Sequence, residues 1–173
     1  MVGALDYLYA VNATTGAKLW NYTTAQHLKI YSPTVANGVV YFNCDDKNVY
    51  ALNANNSTKL WIFTTGSAVS SSPAVANGVV YFGSEDHNLY AINAATGAKL
   101  WNYTTATGGA GSPVVSNGVV YFTAQASDGT YTIYAVGNSS ASAAQSGSPI
   151  PGFEAAFAVV ALAIGAYVVS KKS

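Results

Sequence analysis

Acidic residues recur in step along the chain. Asp45-Asp46 and Glu85-Asp86 stand forty residues apart in equivalent polar turns, and Asp128 is a third copy displaced by a four-residue insertion. Carboxylates held in a row of turns supply the hard oxygen donors that Ca²⁺ takes. The same residue types also make turns with no ion present, because a short carboxylate accepts hydrogen bonds from its own backbone. No metal site is therefore assigned; Asp45, Asp46, Glu85 and Asp86 are the residues that such a site would use. His27 and His87 occupy different repeat positions, and His87 reads as a solvated turn residue rather than a ligand. Cys44 is the one cysteine, so an intrachain disulfide is excluded, and it reads as a small strand residue. No Ser/His/Asp or Cys/His arrangement clusters, so no catalytic residue is assigned and no cofactor is expected.

A second chemistry is modification. Asn-x-Ser/Thr occurs at Asn12, Asn21, Asn55, Asn56, Asn102 and Asn138, which makes these residues candidate N-glycosylation sites in an exported protein. Asn21 and Asn102 each follow a Leu-Trp pair by one residue, so strand alternation turns them away from that Trp. The competing reading is plain polar strand and turn residues.

Charge is scarce in the chain that carries these groups. Charged residues are 8% of 173, seven Lys balance seven acids, and there is no Arg; soluble domains average about 25% charge. A binder that neutralises phosphates is excluded, since no basic stripe exists and the bidentate phosphate reader is missing. No nucleic-acid partner is expected. An apolar content of 50% argues against disorder.

The elements that position these residues follow from an internal repeat. Asn-Gly-Val-Val-Tyr-Phe occurs at 37–42, 77–82 and 117–122, and Ser-Pro at 32–33, 72–73 and 112–113. Leu-Trp at 19–20, 60–61 and 100–101 keeps step with them, as does Tyr-Ala-x-Asn at 9–12, 50–53 and 90–93. The best-preserved copy predicts four strands, at 73–76, 79–83, 89–93 and 99–105, with Asn77-Gly78 as a hairpin turn. Val-Val-Tyr-Phe is a continuous apolar run, as expected of a strand covered on both faces. The fold class is therefore all-β: β-propeller-type four-stranded blades, about three and a half of them, in an incomplete ring.

Asn12-Ala-Thr-Thr-Gly-Ala-Lys-Leu-Trp20 and Asn93-Ala-Ala-Thr-Gly-Ala-Lys-Leu-Trp101 resemble the PQQ-like (quinoprotein-type) propeller repeat, over residues 5 to 136. The chain departs from that pattern by carrying Asn at 12, 53 and 93 where the family has Asp, and Ser57 where it has Gly. The resemblance implies that Trp20, Trp61 and Trp101 pack between adjacent blades. Quinoprotein dehydrogenases of this fold hold PQQ and Ca²⁺ at the ring centre with an adjacent Cys pair, which this sequence lacks. Residues 5–24 supply two strands of a unit, and 112–136 lack the Leu-Trp strand. Two expectations follow: the chain is the C-terminal part of a longer polypeptide whose further blades complete the ring, or copies self-associate to close it.

Beyond Val136 the composition changes. Residues 137–150 form a Ser/Ala/Gly-rich linker, and an uncharged stretch from Ala155 to Val169 is followed by Lys171 and Lys172. Phe153–Ser170 is long enough to be read as a transmembrane helix with its basic end in the cytoplasm. Pro151, Gly152 and Phe153, with the helix and basic end behind them, resemble the PGF-CTERM sorting signal of archaeal surface proteins. That resemblance implies an archaeosortase as partner, removal of the helix, and a lipid anchor at the cell surface. Three segments are thus expected: blades at 1–136, linker at 137–150 and sorting signal at 151–173. The function expected is non-catalytic: envelope structure, adhesion or protein recognition. The alternatives are part of an extracellular quinoprotein-like enzyme and a self-assembling surface sheath.

Overall fold

The computed structural model describes residues 7–24, 29–106, 108–137, 157–162 and 166–171. A hairpin opens the described chain, β1 (Leu8–Val11) paired with β2 (Lys18–Tyr22). Blade I follows as β3 (Thr34–Ala36), β4 (Val39–Asn43), β5 (Asn48–Asn53) and β6 (Lys59–Thr64). Blade II repeats it as β7 (Ala74–Ala76), β8 (Val79–Gly83), β9 (Asn88–Asn93) and β10 (Lys99–Thr104). Blade III contributes β11 (Val114–Ser116), β12 (Val119–Gln125) and β13 (Tyr131–Gly137). Within each blade neighbouring strands are antiparallel and sequential, so each blade is a meander.

The turns follow from residue type. Asn37, Asn77 and Asn117 take φ of 50°, 50° and 51°, and the glycines after them 74°, 75° and 75°. Asn followed by Gly tolerates both left-handed positions, which is what a two-residue hairpin matched to strand twist requires. The register is identical in all three blades, with Ala36↔Val39, Ala76↔Val79 and Ser116↔Val119 closing the turn.

Blades stack face to face, and strand alternation divides each apolar run between two cores. In β4, Val40 and Phe42 pack with Leu8 and Trp20 of the hairpin, while Tyr41 packs with Val80, Phe82 and Ile92 of blade II. Leu89 of blade II joins Val120, Phe122 and Tyr134 of blade III in the third core. Short first strands meet at the inner side, where Thr34 Oγ1 donates to Pro73 O (2.6 Å) and Ser72 N donates to Ser112 Oγ (2.8 Å). This doubly covered arrangement is why the runs read as continuous rather than alternating.

Of the C-terminal segment read as a helix across Phe153–Ser170, residues 153–156 and 163–165 lie outside the described residues, and the described ones form β14 (Phe157–Leu162) and β15 (Ala166–Lys171). They pair with each other, and β15 lies antiparallel on β13 with Ile133↔Val169 and Val136↔Ala166. Blade III has no Leu-Trp strand of its own, so β13 offers its N–H and C=O groups to β15, and the β-branched residues at 168 and 169 suit that strand. Among the described residues no helix is long and apolar enough to cross a membrane. Pro151, Gly152 and Phe153 lie outside the described residues, as do most of the 137–150 linker and Asn138.

Candidate functional site

The acidic turns lie at one end of the blades, between each second and third strand. The carboxylates of Asp45, Asp46, Asp86 and Asp128 are engaged within the fold. Asp46 Oδ1 accepts from Asn48 N (3.0 Å), and its Oδ2 accepts the Tyr50 hydroxyl. Asp86 repeats this with Asn88 N (3.1 Å) and the Tyr90 hydroxyl (2.8 Å), and adds Gly66 N at 2.8 Å. Asp45 Oδ1 accepts the Tyr31 hydroxyl at 2.9 Å, and Lys29 Nζ lies 4.6 Å above the centre of that ring. Asp128 closes its own hairpin by accepting from Thr130 N (2.9 Å) and Oγ1 (2.7 Å).

The electrostatics match this geometry. Burial raises the Tyr31 and Tyr90 hydroxyls, and their hydrogen bonds to Asp45 and Asp86 add to it, so both are pushed up to about 12. Burial alone would raise the Asp86 carboxyl, but hydrogen bonds from Asn88, Tyr90, Gly66 and Ser84 outweigh it and hold the group below the usual carboxylate range. Among the described residues no three His, Cys, Asp or Glu side chains gather around one point. The Asp-x-Asn-x-Tyr spacing at 46–50 and 86–90 stands in the sequence and is the signal for these Asp–Tyr clamps, which the sequence reading passed over.

Other candidates are placed as follows. His87 sits in the turn at φ +70°, is exposed, and its Nδ1 accepts from Gly108 N at 3.1 Å, so it ties the turn of blade II to the connection that leads into blade III. His27 lies outside the described residues. Cys44 is fully buried against the hairpin, its Sγ 3.9 Å from Thr24 Oγ1, and burial pushes its thiol up. Asn21, Asn55, Asn56 and Asn102 are exposed, and Asn12 is half-buried. Asn102 Nδ2 donates to Asn88 Oδ1 at 3.0 Å. Asn12, Asn53 and Asn93 each accept backbone N–H groups in the turn between third and fourth strands, at 2.9–3.0 Å. A carboxamide oxygen fills the Asp role there without its charge, which is part of why the chain carries so little.

The tryptophans join blades. Trp20 Nε1 donates to Ala54 O and Trp61 Nε1 to Ala94 O, each at 2.9 Å and each across a blade interface. A Cβ on Gly97 would stand 2.9 Å from the Trp61 ring, and Gly97 also has φ +73°, so this position needs glycine twice over. Trp101 stays 36% exposed, beside Tyr81 at 5.8 Å between ring centres.

Repeated four-stranded meanders, stacked through inner first strands and outer tryptophans, define a β-propeller repeat protein. The family model described as outer membrane protein assembly factor BamB matches residues 2–150, and the chain belongs to that family. Its fold is similar to that of BamB from Moraxella catarrhalis, at 19% identity over 78% of this chain and 41% of that one, TM-score 0.62. It is similar to the quinohemoprotein alcohol dehydrogenase ADHIIG from Pseudomonas putida, at 28% identity over 62% of this chain and 18% of that one, TM-score 0.54. The computationally designed Ika4 protein is similar at 17% identity over 73% and 78% of the two chains, TM-score 0.63. The chain thus spans about two fifths of that BamB and under a fifth of the dehydrogenase. No curated protein matches.

The dehydrogenase likeness raises the question of PQQ and its Ca²⁺. The donor set described does not fit them. The sole cysteine is buried between hairpin and blade I, Trp20 and Trp61 are committed to blade interfaces, and the carboxylates of Asp46 and Asp86 are spent on turns.

Proposed function

We propose that this chain is the blade-bearing part of a non-catalytic β-propeller held at the cell surface, where it recognises other macromolecules or contributes to the envelope. The observation that carries this reading is the commitment of the chemistry-bearing residues to structure. The turn carboxylates at 46 and 86 each answer a tyrosine hydroxyl and a backbone N–H, and the Trp20 and Trp61 indoles each answer a neighbouring blade. What is left for partners is the Asn-, Thr- and Tyr-rich exterior, with the glycosylation candidates Asn21, Asn55, Asn56 and Asn102 exposed on it.

The surface address rests on the tail. Strands β14 and β15 pair with each other and β15 lies on the β13 edge; in a bilayer no such edge is available, and a helix that satisfies its own backbone is the solution. Under this proposal residues 137–150 are the stalk, Pro151-Gly152-Phe153 is read by an archaeosortase, and the helix before Lys171 and Lys172 is removed in exchange for a lipid. The alternative, a quinoprotein-like enzyme, draws on the alcohol dehydrogenase likeness, and the donor set described above weighs against it.

The test is intact-mass and C-terminal peptide analysis of the native protein from membranes. Loss of the residues after the Pro-Gly-Phe motif with a lipid mass in their place is expected, and Pro151→Ala with Gly152→Ala should abolish it. An unprocessed C-terminus ending at Ser173 in the native protein would overturn the sorting assignment.

A further inference from the structure

We propose that a pocket between blades II and III binds a neutral saccharide unit. The pocket holds about 350 Å³ and is lined by Ser70, Glu85, Gly109, Thr123, Gln125 and Tyr131, with Ala110 and Gly111 completing its wall. That volume lies at the lower end of small-molecule sites, enough for one or two sugar rings.

The repeat shows how the space arises. Aligned on the Ser-Pro pairs at 72–73 and 112–113, Gly109 stands where blade II has Val69, a fully buried member of the core between blades I and II. Without a side chain Gly109 lets the Glu85 backbone approach closely, a Cβ there falling 3.1 Å from the Glu85 Cα, and it lines the pocket with backbone alone. The strands beyond it are longer in blade III, seven residues each in β12 and β13 against five and six in blade II. The extended hairpin around Asp128 brings Tyr131 to the rim, 64% exposed. Both departures fall on the same pocket.

The lining groups are also unspent. Among the described residues none of the side chains of Ser70, Glu85, Thr123, Gln125 or Tyr131 makes a hydrogen bond to the protein, whereas Asp46, Asp86 and Asp128 do. Two aliphatic hydroxyls, a phenol, a carboxamide and one carboxylate offer donors and acceptors on several sides of a ligand. The Tyr131 ring adds one flat apolar surface. A sugar ring presents this combination, hydroxyls around an edge and C–H groups on a face. An anion would meet Glu85 with no cation in the lining to offset it. Ca²⁺ takes 6–8 oxygens, usually with more than one carboxylate, and only one is present.

The inference deepens the recognition reading and rests on it only for its biological use, since saccharide binding is measured whatever becomes of the tail. The experiment is saturation-transfer NMR and calorimetry on the full chain with glucose, galactose, mannose, N-acetylglucosamine and their common disaccharides. Binding of at least one is expected. Tyr131→Ala and Gln125→Ala, both at exposed positions, should each weaken it about tenfold. Gly109→Val, which restores the blade II residue, should abolish it. A Cβ at 109 would lie 3.1 Å from the Glu85 Cα, so the two exposed substitutions carry the test if that variant fails to fold. Absence of binding across the panel overturns the assignment, as does binding that survives both Tyr131→Ala and Gln125→Ala. CaCl₂ binding that Tyr131→Ala leaves intact while Glu85→Gln removes it, with no sugar bound, overturns it in favour of a cation.

Discussion

Asp86 concentrates the polar chemistry of blade II in one carboxylate. Its two oxygens accept four hydrogen bonds, from Gly66 N, the Tyr90 hydroxyl, and both Asn88 N and Nδ2. Burial opposes its charge, and the hydrogen bonds win, so its folded value sits below the ordinary one. A depressed carboxylate contributes stability that is fully present above its unfolded pKa, about 3.9, and is lost as pH falls through the folded value. Asp86→Asn presents an N–H₂ to donors that need an acceptor, and should cost about 1–3 kcal/mol at neutral pH. That deficit should shrink as acid protonates Asp86 in the wild type, below about pH 4. Urea denaturation of both proteins across this range checks it, and a deficit that stays constant with pH would refute the assignment. The spacing that builds the clamp is visible in the sequence as Asp-x-Asn-x-Tyr. Its meaning is not, because Asp86 is completed by Gly66, twenty residues away on the connection from blade I.

At the scale of elements, strands and turns were legible because each marker has a local physical cause. Asn-Gly dictates the first hairpin, the Asn-x-x-Thr-Gly segment dictates the turn into the fourth strand, and the four strands expected of blade II appear within a residue or two of their bounds. Two features lay beyond local reading. The β13 edge that receives β15 exists only once the sheets are assembled, and the His87–Gly108 bond joins a turn of blade II to the connection twenty-one residues on. Where blade I departs from the repeat, the turn records it as strain. Ser57 holds φ +57° at the place where Gly16 and Gly97 take +71° and +73°. A left-handed L-residue costs about 1–2 kcal/mol, and glycine's larger unfolded-state entropy returns part of that. Ser57→Gly should therefore stabilise the chain by about 0.5–1 kcal/mol. Thermal unfolding of bacterially produced protein measures the gain, and a lowered midpoint would show that the Ser57 side chain supports the turn.

Across the whole molecule, stability is a sum of blades and the interfaces that couple them, because each blade touches only its neighbours. The tryptophans report where that coupling is strong. Trp61 is 9% exposed, lies against Gly97 and hydrogen-bonds Ala94 O of the next blade, while Trp101, at the equivalent place in blade II, is 36% exposed. Among the described residues the Trp101 indole donates no hydrogen bond. Identical sequence in Leu-Trp thus yields unequal energetics, set by what the following blade supplies. Trp61→Ala should cost about 3–5 kcal/mol, the range for a buried aromatic truncated to a cavity, and Trp101→Ala less than about 2 kcal/mol. The location of the loss matters as much as its size. Trp61 sits between the half holding the N-terminal hairpin with blade I and the half holding blades II and III, so its removal should split one cooperative denaturation into two. Trp101→Ala leaves that central interface whole and should shift a single transition. Urea denaturation followed by tryptophan fluorescence and by circular dichroism distinguishes these outcomes: the two probes should diverge for Trp61→Ala and coincide for Trp101→Ala. Equal losses, or coincident probes in both variants, would mean that the blades couple mainly through their inner first strands, at Thr34–Pro73 and Ser72–Ser112, and not through the tryptophans.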